Sequence, residues 1–229
     1  GRAVGAICAF RRPSSRPAPE APRTRTESAR ALDGAIREVR NTVGTLSAQV
    51  AAASPEAMLF QTVYTVLDDG RLRERVLERA DKEGLAAALV QVGGEAGRMA
   101  AQNNDPFAVD RAREMADICE ALAMMVAADR RAEVPRGSVL VGSEVTLFDV
   151  LMAARAHPAA VVLSERAAGP MSRALLTLIG TPSVVDVGGL FRWVADGDVA
   201  LVDGDHGLVR LNPSRAEVSL VRAEKKKQP

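Results

Sequence analysis

Cysteine and aromatic residues are scarce in this sequence, and each shortage excludes a class of protein. The chain of 229 residues has two cysteines, Cys8 and Cys119, and neither belongs to a CxxC or CxxxH pattern. A zinc site and a disulfide framework are therefore not expected, and a reducing, cytoplasmic setting fits best. Aromatic residues make up 3% of the chain, too few for the stacking surfaces of most single-strand nucleic-acid readers.

Net charge and long apolar runs are lacking as well. The formal net charge is +1, so no overall field draws the chain to nucleic acid or to a membrane surface. No apolar run approaches the roughly 20 residues of a membrane span. No Walker motif is present and no GxGxxG follows a strand, so nucleotide binding is not expected. Together with the cysteine spacing, this leaves no cofactor and no metal among the expectations. The 47% hydrophobic content allows a real core and indicates an ordinary soluble protein.

The first half of the chain predicts one strand followed by helices. Ala3–Phe10 fits a strand, and the proline-rich stretch Arg11–Thr26 fits a linker. Apolar residues then recur at steps of three and four, which predicts a long amphipathic helix. They are Leu32, Ile36, Val39, Val43, Leu46 and Val50. Helical periods and cap patterns predict further helices that begin at Ser54, Arg71, Leu85 and Asp105.

Glycines and valines give two further local predictions. Gly93, Gly94 and Gly97 weaken a helix, and they predict a kink or close helix packing there. After Pro135, short valine-rich runs alternate with the helical patches Thr146–Arg155 and Met171–Ile179, which indicates an α/β section. Its last two runs, in VALVDGDHGLVRLNP, fit a hairpin with Asp205–Gly207 as the turn. The tail AEKKKQP is a charge run of the kind that is most often disordered.

The order of these segments resembles the N-terminal half of enzyme I of the phosphoenolpyruvate-dependent sugar phosphotransferase system, a phosphoenolpyruvate (PEP)-utilising enzyme. GRAVGAICAF is similar to the family's opening strand GIAIGKA, and MLFQTVYTVLDDGRL to its IF...LLEDEEL. AVDRAREMADICEALA parallels LKERAADVRDIGKRLL, and LVDGDHGLVRLNP parallels LDAVNNQVYVNP. The resemblance covers nearly the whole chain and rests on the order and spacing of these fragments.

The resemblance implies a fold and its division into domains. It implies an α/β phosphohistidine domain of the swivelling type, formed by residues 1–26 and 134–223. An all-helical subdomain, residues 27–133, is inserted in it, and residues 224–229 form a charged tail. In the resembled family this helical block docks HPr, the small phosphocarrier protein.

The family's functional loop is close to GGRTSHTAILAR, whose histidine takes the phosphoryl group from phosphoenolpyruvate and passes it to HPr. The corresponding stretch here is AAGPMSRALLTL. One register places Met171 at the histidine position, and a loop shorter by one residue places Ser172 there and keeps Gly169 and Leu175. We favour the second register, and neither supplies a histidine. Gly169, Ser172 and Arg173 remain a candidate anion-binding group at a helix start.

Serine or methionine in place of the histidine removes the chemistry needed to accept a phosphoryl group and pass it on. A neutral imidazole is a good nucleophile near pH 7, and its phosphoramidate keeps enough transfer potential to pass the group on. A thioether cannot do this, and a serine hydroxyl without an adjacent base is a weak nucleophile. His157, before a proline, and His206, in the predicted turn, fit ordinary loop positions.

The resemblance also indicates candidate partner-binding residues in the helical block: Phe60, Asp68, Asp69 and Arg71. Phe60 fits either a core position or a contact. The family is acidic where this chain has Arg71 and Arg73, so the surface charge has partly reversed. Because complementary charge governs encounter, a standard HPr is not the partner that this surface favours.

The favoured hypothesis is an enzyme I N-terminal-like module without the acceptor histidine, a non-catalytic interaction or regulatory domain. Its expected partner is a protein such as an HPr-like phosphocarrier, with neither membrane nor nucleic acid involved. The alternative is a working phosphotransfer component that uses an atypical acceptor or belongs to a longer chain. A weaker third reading, a nucleic-acid binder with a basic tail, rests on KKK and the arginine-rich linker.

Overall fold

The computed structural model of the chain describes residues 1–9, 23–51, 54–102, 106–127, 134–164 and 170–227. The chain divides into two compact units: unit 1 is Gly1–Arg12 with Glu133–Pro229, and unit 2 is Pro13–Ala132. The helices described in unit 2 are α1 (Arg25–Ser47), α2 (Pro55–Leu67), α3 (Gly70–Glu83), α4 (Leu85–Gln102) and α5 (Pro106–Val126). The predicted helices are confirmed, whereas Asp105 and most of the predicted linker lie outside the described residues.

The elements described in unit 1 combine strands and helices, which confirms the α/β class. They are β1 (Arg2–Ala9), β2 (Val139–Gly142), α6 (Leu147–Ala156), β3 (Ala160–Leu163), α7 (Pro170–Ile179), β4 (Ser183–Val184), α8 (Leu190–Trp193), β5 (Val199–Asp203), β6 (Leu208–Leu211) and α9 (Arg215–Lys227). The predicted hairpin is confirmed as β5 and β6, which pair antiparallel.

Local caps set where several helices begin. Thr24 and Glu27 form a capping box at the start of α1, and the Ser54 side chain accepts a hydrogen bond from the Ala57 amide at the start of α2. The predicted stripe of α1 faces the core, because Leu32, Val39 and Val43 are all buried. The cap at Thr24 also ends the linker earlier than the prolines alone predict.

Helices α4 and α5 approach closely at a glycine. A Cβ atom added to Gly93 would lie 2.9 Å from Cys119 Cβ and 3.0 Å from Ala116 Cα. Such distances leave no room for a side chain, so glycine is what allows the two backbones to meet here. Of the two alternatives that the glycines predicted, close packing is therefore confirmed for Gly93.

The sheet of unit 1 has the strand order β4-β3-β2-β1-β5-β6. Strand β1 pairs with two neighbouring strands. Its residues Ile7–Ala9 pair parallel with β2, and its residues Arg2–Ala6 pair antiparallel with β5. In a flat sheet β4 and β5 would stand four strand spacings apart, about 19 Å. They nevertheless contact each other. The sheet therefore curls back on itself and encloses an apolar cluster contributed by β1–β5 and α8.

The C-terminal segment corrects one prediction. Residues 224–227, expected to be disordered, form the last turn of α9, whereas residues 228 and 229 lie outside the described residues. The Ser214 side chain and amide pair with Glu217 at the start of this helix, and Val221 is buried. A strong cap and an anchored apolar side chain thus outweigh the mutual repulsion of the lysines.

Candidate functional site

The first turn of α7 carries the residues that the sequence places at the phosphohistidine position. Ser172 is partly exposed and Arg173 is exposed, while Ala174 and Leu175 are buried on the inner side of the helix. The Met171 side chain and Gly169 lie outside what the structure describes. The anion-binding group therefore stays a prediction, with two of its three members placed in one turn of helix.

Strand directions determine which residues lie near this turn. Strands β1, β2, β3 and β4 run parallel, so their amino ends lie at one edge of the sheet and their carboxyl ends at the other. Helix α7 connects β3 to β4 and consequently begins at the carboxyl edge. His157 lies just before β3, and the turn that holds His206 lies beside the start of β1. Both histidines therefore lie at the amino ends of the parallel strands, whereas Ser172 lies at their carboxyl ends.

The two histidines have different surroundings. His157 is exposed and ends α6 in the left-handed region with φ 48°. It lies between a helix and a strand, as the proline after it predicted. The His206 ring is 64% exposed, and its Nδ1 lies 3.0 Å from both carboxylate oxygens of Asp203. This contact directs the other ring nitrogen of His206 away from the carboxylate.

Asp203 is the centre of a polar network at this edge. It is 4% exposed and accepts hydrogen bonds from Arg2 Nε at 2.7 Å and from the amides of Asp205 and His206. Burial alone would raise the pKa of Asp203, but the hydrogen bonds from His206 and Arg2 hold that pKa well below its usual range. No local pattern could indicate this network in advance, because Arg2 and Asp203 are 201 positions apart.

Two of the four expected partner-binding residues of unit 2, Phe60 and Asp69, have a role in the fold. Phe60 is 2% exposed, so of its two readings the structure supports the core and excludes a surface contact. Asp69 is the N-cap of α3 and accepts from the amides of Arg71 and Leu72. Asp68 pairs with Arg40 at 2.5 Å, and the Arg40 guanidinium lies 5.8 Å from the centre of the Tyr64 ring.

Two arginines at the junction of α2 and α3, Arg71 and Arg73, have different surroundings. Arg73 donates two hydrogen bonds to Asp33 and is neutralised within the unit. Arg71 is exposed, and no ion pair to it is present among the described residues. Asp68 thus has an ion-pair partner and Asp69 is engaged by backbone amides, whereas the Arg71 side chain has neither kind of contact among the described residues.

Other site classes receive no support. Among the described residues, no three His, Cys, Asp or Glu side chains come together as metal ligands. Within that same part of the chain, no helix combines the length and apolar character needed to cross a bilayer. Burial raises the pKa of both thiols, to about 12 for Cys119, so neither is an activated nucleophile.

Comparisons with known proteins agree with this architecture. The family described as "PEP-utilising enzyme, N-terminal" matches residues 1–111. An NMR solution structure of enzyme I (nEIt) superposes with a TM-score of 0.65 at 18% identity, covering 99% of this chain and 95% of that one. The N-terminal domain of enzyme I-nitrogen superposes with a TM-score of 0.73 at 19% identity, covering 99% and 96%. The chain therefore has the fold of an enzyme I N-terminal domain, and its residues 1–111 match the N-terminal family of PEP-utilising enzymes. No curated protein sequence gives a significant match.

The structural similarity to enzyme I covers nearly the whole chain, whereas the family match covers residues 1–111. At 18% and 19% identity the two solved structures establish the fold, and they do so over nearly the full length of all three chains. The family match ends at residue 111, before the phosphohistidine position at the start of α7. The family match therefore does not include Ser172 and Arg173, and only the chemistry of their side chains bears on their role.

Proposed function

We propose that this chain is a protein-interaction module of the phosphotransferase type that does not itself carry a phosphoryl group. In this proposal, unit 1 (residues 1–12 and 133–229) forms the phosphohistidine-like domain of the swivelling type. Unit 2 (residues 13–132) forms the inserted helical subdomain that docks a protein partner. The setting is cytoplasmic, and no cofactor takes part.

The observation that carries the proposal is the absence of an imidazole in the described first turn of α7. Ser172 and Arg173 occupy that turn, and a serine hydroxyl needs an adjacent base to become a nucleophile. Both histidines of the chain belong to the opposite edge of the sheet and cannot act as that base. A serine phosphate, if formed, would also be a poor donor for a second transfer.

The charge at the α2–α3 junction supports a partner different from a standard HPr. Arg71 stands exposed where the resembled family is acidic, and the neighbouring carboxylates are already engaged. A basic docking face would meet this arginine without a compensating anion. We therefore propose an HPr-like phosphocarrier, or another small protein, whose docking face is neutral or acidic.

Phosphotransfer in a defined mixture tests the proposal. The chain is incubated with labelled phosphoenolpyruvate, a competent enzyme I and HPr, and the labelled proteins are separated under alkaline conditions. We expect label on enzyme I and HPr and none on this chain. Acid-labile label on this chain would refute the proposal and favour a working phosphotransfer component with an atypical acceptor.

Partner selection is tested separately by titrating the chain with HPr and with an HPr variant whose docking-face basic residues are replaced by glutamate. We expect the variant to bind more tightly, and Arg71→Glu to reverse this order. Arg113→Glu is the control, because Arg113 is 76% exposed on α5 and pairs only with Asp110 among the described residues. Tighter binding of unmodified HPr would contradict the charge argument.

A further inference from the structure

The short helix α8 presents two aromatic side chains to solvent. Trp193 is 72% exposed and Phe191 is 36% exposed, in a chain whose aromatic content is only 3%. Leu190 and Val194 of the same turn are 3% and 9% exposed and belong to the apolar cluster inside the sheet. Because residues 190 and 194 face inward, Arg192 lies on the opposite side of the turn, and Phe191 and Trp193 lie on its two flanks.

Hydrogen bonds hold this turn in place. The Val187 amide donates to the Leu163 carbonyl at the end of β3, and the Arg192 and Val194 amides donate to the carbonyls of Gly189 and Leu190. Gly189 has φ 70°, and a Cβ added there would lie 3.5 Å from Trp193 Nε1. The indole is thus presented from an anchored turn, so little conformational freedom would be lost when a partner covers it.

Arg192 gives the same surface a charge. Its side chain is exposed, and no ion pair to it is present among the described residues. The nearby Asp198 carboxylate accepts a hydrogen bond from the Ala195 amide and so has a local partner. The exposed residues of this turn are therefore an arginine with no ion pair among the described residues and the two aromatic residues that flank it in the sequence. Tryptophan and arginine are the residue types most enriched among those that dominate protein–protein binding energy.

We propose that Phe191, Arg192 and Trp193 form a docking surface, the α8 surface, for a protein segment in which a carboxylate adjoins apolar side chains. The carboxylate binds the Arg192 guanidinium, and the apolar side chains cover the two rings. A nucleic-acid strand is the less favoured occupant, because one guanidinium cannot replace the row of phosphate contacts that such binding requires. This surface belongs to unit 1, and the proposal does not depend on the docking assigned to unit 2.

The fluorescence of Trp193 offers a direct test, since the chain has no other tryptophan. The probes are a short leucine-containing peptide with glutamates, the same peptide with glutamines or with lysines at those positions, and a thymidine oligonucleotide. We expect the glutamate peptide to shift the emission to shorter wavelength in a saturable manner. The glutamine and lysine peptides should bind at least about tenfold more weakly, as the loss of a charge-assisted hydrogen bond predicts.

Two variants and one dilution series make the test decisive. Arg192→Gln should weaken the glutamate peptide about tenfold, and Arg136→Gln, at an exposed arginine before β2, should leave it unchanged. Equal binding of all peptides, binding of the oligonucleotide alone, or no response to any probe would each overturn the proposal. A blue shift that grows with protein concentration in the absence of probe would also overturn it, because a second copy would then be the occupant.

Discussion

Gly93 on α4 lies against Cys119 on α5 so closely that a Cβ atom at residue 93 would stand 2.9 Å from the Cys119 Cβ. Glycine ordinarily costs a helix about 1 kcal/mol relative to alanine. Here the cost is offset by the packing of two helices that no side chain at residue 93 would permit. The consequence can be measured with a matched pair of substitutions.

Gly93→Ala should lower the free energy of unfolding by about 1–3 kcal/mol, as expected for overpacking, despite the better helix propensity of alanine. Gly97→Ala in the same helix should raise it by up to about 1 kcal/mol, because the added methyl group has no atom within 4 Å beyond the adjacent backbone of its own helix. Urea denaturation of both variants gives the comparison. Stabilisation by both substitutions would show that α4 and α5 do not pack as described.

Asp69 and Asp68 are adjacent acidic residues with different roles. Asp69→Ala should lower the free energy of unfolding by about 1 kcal/mol through loss of the α3 cap. Asp68→Ala should change it by less than about 0.5 kcal/mol, because the pair with Arg40 is on the surface. Chemical denaturation measures both values. Equal effects of the two substitutions would contradict the cap assigned to Asp69.

Asp203 should make the stability of the protein depend on pH. Its folded-state pKa is lower than its ordinary value of 3.8, so the carboxylate stabilises the fold above that pH. This contribution is lost as the pH falls through and below that value. Asp203→Asn should therefore be less stable than the original protein at pH 7, and the difference should shrink toward pH 2.

Thermal unfolding across this pH range measures the effect of Asp203. The control is Asp205→Asn, two positions away, whose side chain is 66% exposed. That substitution should leave both the stability and its pH dependence nearly unchanged, because exposed ion pairs contribute little. A difference between Asp203→Asn and the original protein that does not vary with pH would contradict the ionised, hydrogen-bonded state of Asp203.

Cys119 should be inert in the folded protein. Its side chain is fully buried, and burial raises the pKa of its thiol to about 12. Alkylation by iodoacetamide near pH 8 should modify Cys119 only after the addition of urea. Mass spectrometry of native and unfolded samples provides the measurement. Rapid modification of the native protein at Cys119 would show that the α4–α5 contact opens readily.

Local patterns predicted the helices and the hairpin well, because caps, helical periods and turn residues act over a few positions. Ser54, Pro55 and the stripe from Leu32 to Val43 lie where their spacing indicated. The double pairing of β1 was not predictable from its own residues, because its two halves join strands that follow more than 130 residues later. The tail was mispredicted because its lysines were weighed without the Ser214 cap and the buried Val221.

The candidate site was predictable only where chemistry is local. The order of the segments located the start of α7, and the structure places Ser172 and Arg173 in its first turn. By contrast, the sequence could not distinguish Phe60 as core from Phe60 as contact, since an apolar helix residue fits both. Nor could it distinguish Asp69 as a cap from Asp69 as a partner-binding residue. Both distinctions depend on which neighbouring groups the fold brings within a few ångströms.

Whether this module carries phosphate can be read directly from protein purified from cells under alkaline conditions. Phosphopeptide mass spectrometry would map His157 and His206, the only two histidines of the chain, alongside Ser172. We predict no phosphorus on either imidazole, even when the purified protein is first mixed with phosphorylated HPr. Phosphohistidine at His157 or His206 would contradict the proposal that the fold of an enzyme I N-terminal domain serves here for interaction alone.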